Sequence, residues 1–243
     1  MQDPRFMSST QAQAANIDAG LRAHMLGVYN HMTTGMAITG FFAYLTKIMS
    51  VTSEGMLTPF GAAIYTSPLK WLVMLAPLGM VFWLSAKVQT MKPETARNLF
   101  YAFAAIMGIS LSSLLLVFTG ESVIRVFFLT AASFSALSIY GYTTKKNLTS
   151  LGSFLIMGLV GLILASIVNI FLASSAMQFI ISVVGVLIFA GLTAYDTQRI
   201  KLMYMASDDR GTALKKSIMG ALTLYLDFIN MFIMLLQLLG NRE

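Results

Sequence analysis

Seven long apolar stretches constrain what this chain of 243 residues can fold into. A bilayer core of roughly 30 Å is crossed by about 20 mostly apolar residues in helical form. Stretches of that length lie at 26–48, 69–90, 98–118, 123–143, 152–173, 178–200 and 217–240. Strands of a membrane barrel would alternate apolar and polar residues, and these runs do not alternate. The sequence therefore predicts an all-α, polytopic membrane protein built as a seven-transmembrane-helix bundle.

The connections between these stretches predict a single domain. They are short except at 49–68 and 201–216, which leaves no room for a separate soluble domain. The first 25 residues are polar and lack the apolar core of a signal peptide. We therefore predict a cytoplasmic polar tail over 1–25 and one seven-helix transmembrane domain over 26–243.

The distribution of Lys and Arg predicts the orientation in the membrane. Twelve of the 16 fall on one side of the seven spans, namely Arg5, Arg22, Lys87, Lys92, Arg97, Lys145, Lys146, Arg199, Lys201, Arg210, Lys215 and Lys216. The other four are Lys47, Lys70, Arg125 and Arg242. Because cytoplasmic loops are enriched in Lys and Arg, we expect the N-terminus in the cytoplasm and the C-terminus outside.

The composition argues against several classes of function. The net charge of +6 is dispersed, without the compact basic patch that nucleic acid requires. The chain has no cysteine, and its two histidines lie near the N-terminus, which argues against disulfides, thiolate chemistry and zinc. We expect no cofactor and no nucleic-acid partner, with the lipid bilayer as the main surroundings.

Two acidic residues stand apart from the other eight because only Asp196 and Asp227 lie inside apolar spans. An ionised carboxylate near the membrane centre costs at least roughly 2.5 kcal/mol, so such residues commonly mark functional sites. Asp196 lies near the end of span 6, and Asp227 lies about 15 Å beyond residue 217. The depths match if the last helix begins before it enters the lipid. We therefore predict a carboxyl pair between these two consecutive, antiparallel spans.

The chemistry of such a pair predicts proton and cation binding. Two carboxyl groups at hydrogen-bonding distance in a poorly solvated site share one proton. When protonated, the pair links the two spans; when deprotonated, it repels and offers oxygen ligands to a hard cation such as Ca²⁺. Two carboxylates are few for a tight site, so we expect transient Ca²⁺ binding. In the structural alternative, Asp196 pairs with Arg199, and Asp227 bonds to Asn230 or Tyr225.

Small residues and a proline predict how the helices pack. Ala104, Gly108 and Ser112 recur every four residues on span 3, which is typical of a close helix contact. Pro77 lies within span 2, where proline removes a backbone hydrogen bond and kinks the helix. Kinked helices line cavities in some proteins and are merely bent packing elements in others.

The run Gly191-Leu-Thr-Ala-Tyr-Asp-Thr-Gln-Arg-Ile-Lys201 resembles the signature of the Bax inhibitor motif family, also called the Bax inhibitor-one/YccA-like family. Supporting matches are Thr130-Ala131-Ala132-x-Phe134 and Lys145-Lys146-Asn147-Leu148. The resemblance implies a bacterial-type member in the plasma (inner) membrane, with six helices around the last one. It also implies that Asp196 and Asp227 form the pair that gates a calcium leak in a pH-dependent manner.

One position departs from the pattern of bacterial relatives, which have a span-2 arginine that engages the pair. This chain has no Arg between residues 69 and 90, and Lys87 lies at the end of that span. We therefore include Lys87 and Pro77 with Arg199 and Asn230 as candidate gating or supporting residues.

Three functions are compatible with the sequence. The first is a pH-sensitive calcium leak that moves Ca²⁺ and protons. The second is a non-catalytic regulator or inhibitor of a membrane-bound protease, which is what the resemblance implies for some bacterial members. The third, an intramembrane aspartyl protease, also uses two aspartates. Asp227 lacks the flanking glycines of that class, so we expect no enzymatic activity.

Overall fold

The structure, a computed structural model, describes the backbone of residues 9–242 and the side chains of residues 17–242. Its helices are α1 (Ser9–Ser50), α2 (Pro59–Tyr65), α3 (Leu69–Lys87), α4 (Pro93–Leu111), α5 (Leu114–Val117), α6 (Gly120–Thr143), α7 (Thr149–Leu172), α8 (Ser175–Leu202) and α9 (Arg210–Leu239). Residues 1–8 of the predicted tail, including Arg5, lie outside the described residues. Residues 9–25 are part of α1, so the first helix begins well before the predicted span.

Three of the long helices begin at residues whose side chains accept hydrogen bonds from the first turn. These residues are Thr119 before α6, Ser174 before α8 and Asp209 before α9. Hydrogen bonds from the Thr212 side chain and from the backbone hold the pKa of the Asp209 carboxyl below its usual value. Because Asp209 caps it, α9 begins at Arg210, before the predicted span at 217. The predicted match in depth between Asp196 and Asp227 requires this early start.

Among the described residues, six helical segments are long and apolar enough to cross a membrane. They are α3, the α4–α5 segment, α6, α7, α8 and α9. Helix α1 is not in this set, so the predicted count of seven spans is not confirmed. The physical reason is the polar character of α1, whose Tyr29, His31 and Thr39 bond to Ser138, Tyr101 and the carbonyl of Ala104.

Helix α9 lies at the centre of the helical packing. It is the most buried of the six candidate spans, and α1, α4, α6 and α8 pack against it. The expectation of six surrounding helices needs a correction, because α3 packs mainly against α4 and α7 mainly against α8. These two outer helices expose most of their large apolar side chains, including Trp71, Phe82, Phe154 and Phe171. Such surfaces suit contact with lipid.

The connections gather at two ends of the bundle. At one end, Lys215 donates to the carbonyl of Gln89, and Lys201 donates to the carbonyl of Tyr142. At the other end, the backbone N–H of Thr119 donates to the carbonyl of Asn241. The connections that hold most of the lysines and arginines are therefore brought together at the first end.

The predicted packing face on span 3 is confirmed. A Cβ atom at Gly108 would collide with the backbone of Thr39, so α1 and α4 touch there through the glycine. Ala104 and Ser112, one turn away on either side, are both buried. The Ser112 hydroxyl also meets the Tyr65 hydroxyl at 2.7 Å, which ties α2 to the end of α4.

Replacing Tyr225 with phenylalanine is expected to lower the free energy of unfolding by about 1 kcal/mol. The Tyr225 side chain is fully buried, and its hydroxyl lies 2.6 Å from that of Thr39, which donates to the Ala104 carbonyl. The change thus removes a link between α9 and α1. Denaturant titration of the detergent-solubilised protein measures the free energy of unfolding, and Tyr140→Phe, at an exposed tyrosine, is the control. Equal effects of the two changes would contradict this role.

Candidate proton and cation site

The two intramembrane aspartates lie on adjoining helices. Asp196 is on α8 and Asp227 on α9, which form the most extensive helix pair in the structure. The two residues are only 6% and 5% exposed, respectively. The Asp227 carboxyl lies within electrostatic range of both the Asp196 carboxyl and the Arg199 guanidinium. The tertiary structure therefore brings the two acids together between the last two helices.

One oxygen of each carboxyl group is buried without a hydrogen bond. Asp196 Oδ1 and Asp227 Oδ2 accept none from any residue that the structure describes. The shared proton that would join the two carboxyl groups stays a prediction. Carboxylate oxygens are acceptors only, so a bond between two of them requires a proton. The orphaned oxygens fit a group that supplies positive charge or a donor.

Arg199 supplies the cation beside this pair. Its Nη1 atom lies 3.4 Å from Asp196 Oδ1, one helical turn away, and its side chain is half exposed. Lys87, the candidate from span 2, is exposed at the end of α3, and Pro77 is buried within the same helix. Because α3 packs mainly against α4, the structure places Arg199, and not Lys87 or Pro77, at the pair.

The structural alternative applies to Asp196 and not to Asp227. Asp196 has its ion pair with Arg199. Asn230, however, donates to the carbonyl of Leu226 at 2.8 Å, and the Tyr225 hydroxyl bonds to Thr39. The neighbours proposed for Asp227 thus use their polar atoms elsewhere.

A chain of hydroxyl groups leads to the residue next to Asp196, and sequence reasoning missed it. The Tyr29 hydroxyl lies 2.6 Å from Ser138 Oγ, which lies 2.9 Å from Thr197 Oγ1. The chain crosses from α1 through α6 to α8. Thr197 lies inside the run 191–201, but nothing in the sequence linked it to Tyr29 or Ser138.

The polar residues at the end of that run hold α8 in place. The Gln198 side chain donates to the carbonyl of Lys146 and accepts from the backbone N–H of Leu148. Lys201 donates to the carbonyl of Tyr142 at 2.8 Å. These bonds fasten α8 to the end of α6 and to the α6–α7 connection just beyond Asp196, so the run positions the carboxyl as well as supplying it.

The arrangement suits weak binding of a proton or a hard cation. Oxygen ligands are those that Ca²⁺ prefers, and a tight site takes six to eight of them. Among the side chains of residues 17–242, no group of three or more His, Cys, Asp or Glu residues is placed to hold a metal ion. Two carboxyl groups with a neighbouring arginine are therefore suited to transient occupancy.

The fold and site define a class: an all-helical, multi-pass integral membrane protein with a carboxyl pair between its last two helices. A family model described as "Inhibitor of apoptosis-promoting Bax1" matches residues 21–243. The chain belongs to this family, the Bax inhibitor-one/YccA-like family that the 191–201 run resembles.

Bacterial proteins are similar to this chain over nearly its whole length. An uncharacterised protein from Caulobacter vibrioides is 46% identical over 94% of this chain and 92% of its own length. One from Rickettsia prowazekii is 43% identical, over 97% and 96% respectively. The inner membrane protein YbhL of Escherichia coli is 42% identical, over 93% and 94%.

Proposed function

We propose that this protein is a pH-sensitive leak for Ca²⁺ across a bacterial plasma membrane, gated by protonation of the Asp196–Asp227 pair. The observation that supports the proposal is that each of the two buried carboxyl groups, on adjoining helices, has an oxygen without a hydrogen bond, although Arg199 lies beside the Asp196 oxygen. In an apolar seam, such oxygens bind a proton or a cation, because leaving them unpaired is costly. The pair acts in ion passage and performs no catalysis.

Gating follows from the charge of the pair. With one proton shared between the two carboxyl groups, α8 and α9 are held together and the path is closed. Loss of that proton leaves two like charges that repel each other across the helix seam. The separated carboxylates then present oxygen ligands to Ca²⁺, the transported ion. Flux therefore rises as the pH rises.

The topology belongs to the same proposal. Helix α1 brings the number of spans to seven. Its polar side chains can lie within the membrane because they are bonded to other helices of the bundle. The connections rich in Lys and Arg meet at one end, which we assign to the cytoplasm by the positive-inside rule. The N-terminus is then cytoplasmic, and the C-terminus lies outside.

Calcium flux into liposomes tests this function. The purified chain in vesicles loaded with a calcium dye is expected to pass at least about tenfold more Ca²⁺ at about pH 8 than at about pH 6. Asp196→Asn is expected to remove this pH dependence. Glu94→Gln, an exposed acid in the first turn of α4, is the control and should behave as wild type. Flux equal to that of empty vesicles at both pH values would overturn the proposal.

Replacing Arg199 with glutamine is expected to move the midpoint of flux against pH upward by about one unit. A positive charge beside a carboxyl group favours its ionised form, so without Arg199 a higher pH is needed to remove the proton. The same liposome assay over a pH series measures the shift. Lys92→Gln removes an exposed positive charge at the start of α4 and should leave the midpoint unchanged. A midpoint that stays in place in Arg199→Gln would show that Arg199 does not act on the pair.

A further inference from the structure

A long crevice separates α1 from α6, although both helices pack against α9. Its larger part encloses about 630 Å³ and is lined by α1 from Arg22 to Met36, by α6 from Phe127 to Tyr142, and by Phe228. A second part of about 330 Å³ continues between the remaining halves of α1 and α6 and shares Met36, Phe127 and Phe228 with the first. We call the two parts together the α1–α6 crevice.

The walls of the crevice are suited to a hydrocarbon chain. Most of the lining side chains are apolar, and several, such as Leu26 and Ile139, are exposed, so the crevice opens on the outer surface of the bundle. The hydroxyl groups of Tyr29, Ser138 and Ser135 in the crevice already have partners: Tyr29 bonds to Ser138, and Ser135 donates to the carbonyl of Ala131. An apolar chain therefore leaves none of these groups unsatisfied.

The length of the larger part corresponds to one leaflet. From Arg22 to Met36 the helix axis rises about 21 Å. One leaflet is about 20 Å thick when its headgroup region is included, and about 15 Å of that is hydrocarbon. An acyl chain therefore fits between α1 and α6 with its headgroup at the level of Arg22.

Positive charge is concentrated at the Arg22 end. The Lys201 ammonium lies 4.9 Å from the centre of the Tyr142 ring, which lines the crevice at that end. Lys145 and Lys146 follow Tyr142 closely and are exposed. Each Lys or Arg near an anionic lipid surface contributes about 1 kcal/mol of attraction. The charges at this end thus complement a negative headgroup.

We propose that the α1–α6 crevice binds one glycerophospholipid with a net negative headgroup. Its phosphate lies at the Arg22 end, and one acyl chain runs between α1 and α6. The proposal concerns a lipid site on the side of the bundle. It does not depend on ion passage through the α8–α9 seam.

Native mass spectrometry of the purified full chain, with added phosphatidylglycerol or phosphatidylcholine of identical acyl chains, tests the proposal. One phosphatidylglycerol should be retained about tenfold more tightly than phosphatidylcholine, which corresponds to 1.4 kcal/mol. Ser135→Trp fills the crevice and should weaken both lipids about tenfold. Ser153→Trp is the control, because Ser153 is likewise exposed and bonded to the carbonyl four residues earlier, but lies on α7.

The headgroup contact is tested separately. Arg22→Gln should lower the preference for phosphatidylglycerol about fivefold, whereas Lys92→Gln should keep it. A phosphatidylglycerol with a photoreactive acyl chain should label wild-type α6 between residues 127 and 139, a result that does not depend on any variant folding. Equal retention of the two lipids, unchanged binding in Ser135→Trp, or labelling spread over α7 would overturn the proposal. The proposal would also be overturned if the protein formed a lipid-free dimer that Ser135→Trp converts to monomer. That result would show that a second copy of the chain occupies the crevice.

Discussion

Asp227→Asn is expected to reduce Ca²⁺ flux at least about tenfold and at the same time to stabilise the folded protein. The flux falls because the pair loses one of its two ionisable groups. The stability rises because a neutral amide replaces a buried carboxyl whose Oδ2 has no partner among the described residues. We expect the unfolding midpoint to rise by about 3 °C.

The matched control is an aspartate that does have a partner. Asp208 Oδ2 lies 2.6 Å from the Lys216 ammonium in the connection before α9. Asp208→Asn is therefore expected to lower the unfolding midpoint slightly and to leave the pH dependence of flux intact. Thermal unfolding in detergent and the liposome assay measure the two properties. If Asp227→Asn destabilised the fold while flux persisted, Asp227 would be a structural residue.

Gly141→Ala is expected to lower the free energy of unfolding by about 3 kcal/mol, a large effect for one methyl group. A Cβ atom at Gly141 would collide with the carbonyl oxygen of Ala194 and with the backbone atoms around it. A backbone obstacle cannot rotate away as a side chain does, so α6 and α8 would have to separate. Asp196 lies two residues beyond Ala194, so a shift of α8 would also move its carboxyl relative to Asp227 on α9.

A glycine in open space provides the comparison. A Cβ atom at Gly161, within α7, would meet nothing within 4 Å. Since glycine is unfavourable inside a helix, Gly161→Ala should stabilise the protein by about 0.5 kcal/mol or leave it unchanged. Denaturant titration of both variants measures the difference. Similar effects would show that the close approach of α6 and α8 at Gly141 is not important for stability.

Much of the fold could be predicted from the sequence because a membrane imposes strong length and polarity rules. Each predicted span from 69–90 onward corresponds to a helical segment that is long and apolar enough to cross a membrane. The first predicted span, in α1, did not satisfy the length and hydropathy test, because α1 carries polar residues. Hydrogen bonds to other helices make these residues compatible with a helix bundle. The position of α3 and α7 outside the inner helices could not be read from hydropathy, since α3 has the lowest mean hydropathy of the six candidate spans and α7 has the highest.

The candidate site was predictable in part. A carboxylate in an apolar span is costly, so Asp196 and Asp227 were identifiable by position alone. The positively charged residue beside them could not be predicted, because the sequence offered both Lys87 and Arg199 as candidates. The packing of α3 against α4 decided between them. The hydroxyl chain from Tyr29 to Thr197 joins residues far apart in sequence, which no local pattern indicates.

By itself, the sequence determined that this chain is an all-helical membrane protein with two acids at costly positions, because lipid tolerates few other solutions. Only the tertiary structure decided that α9 lies at the centre, that Arg199 faces the pair, and that α1 and α6 leave a crevice between them. The physical reason is that helix association in lipid depends on close side-chain fit and specific hydrogen bonds. Those features arise from residues brought together in space, and hydropathy along the chain does not record them.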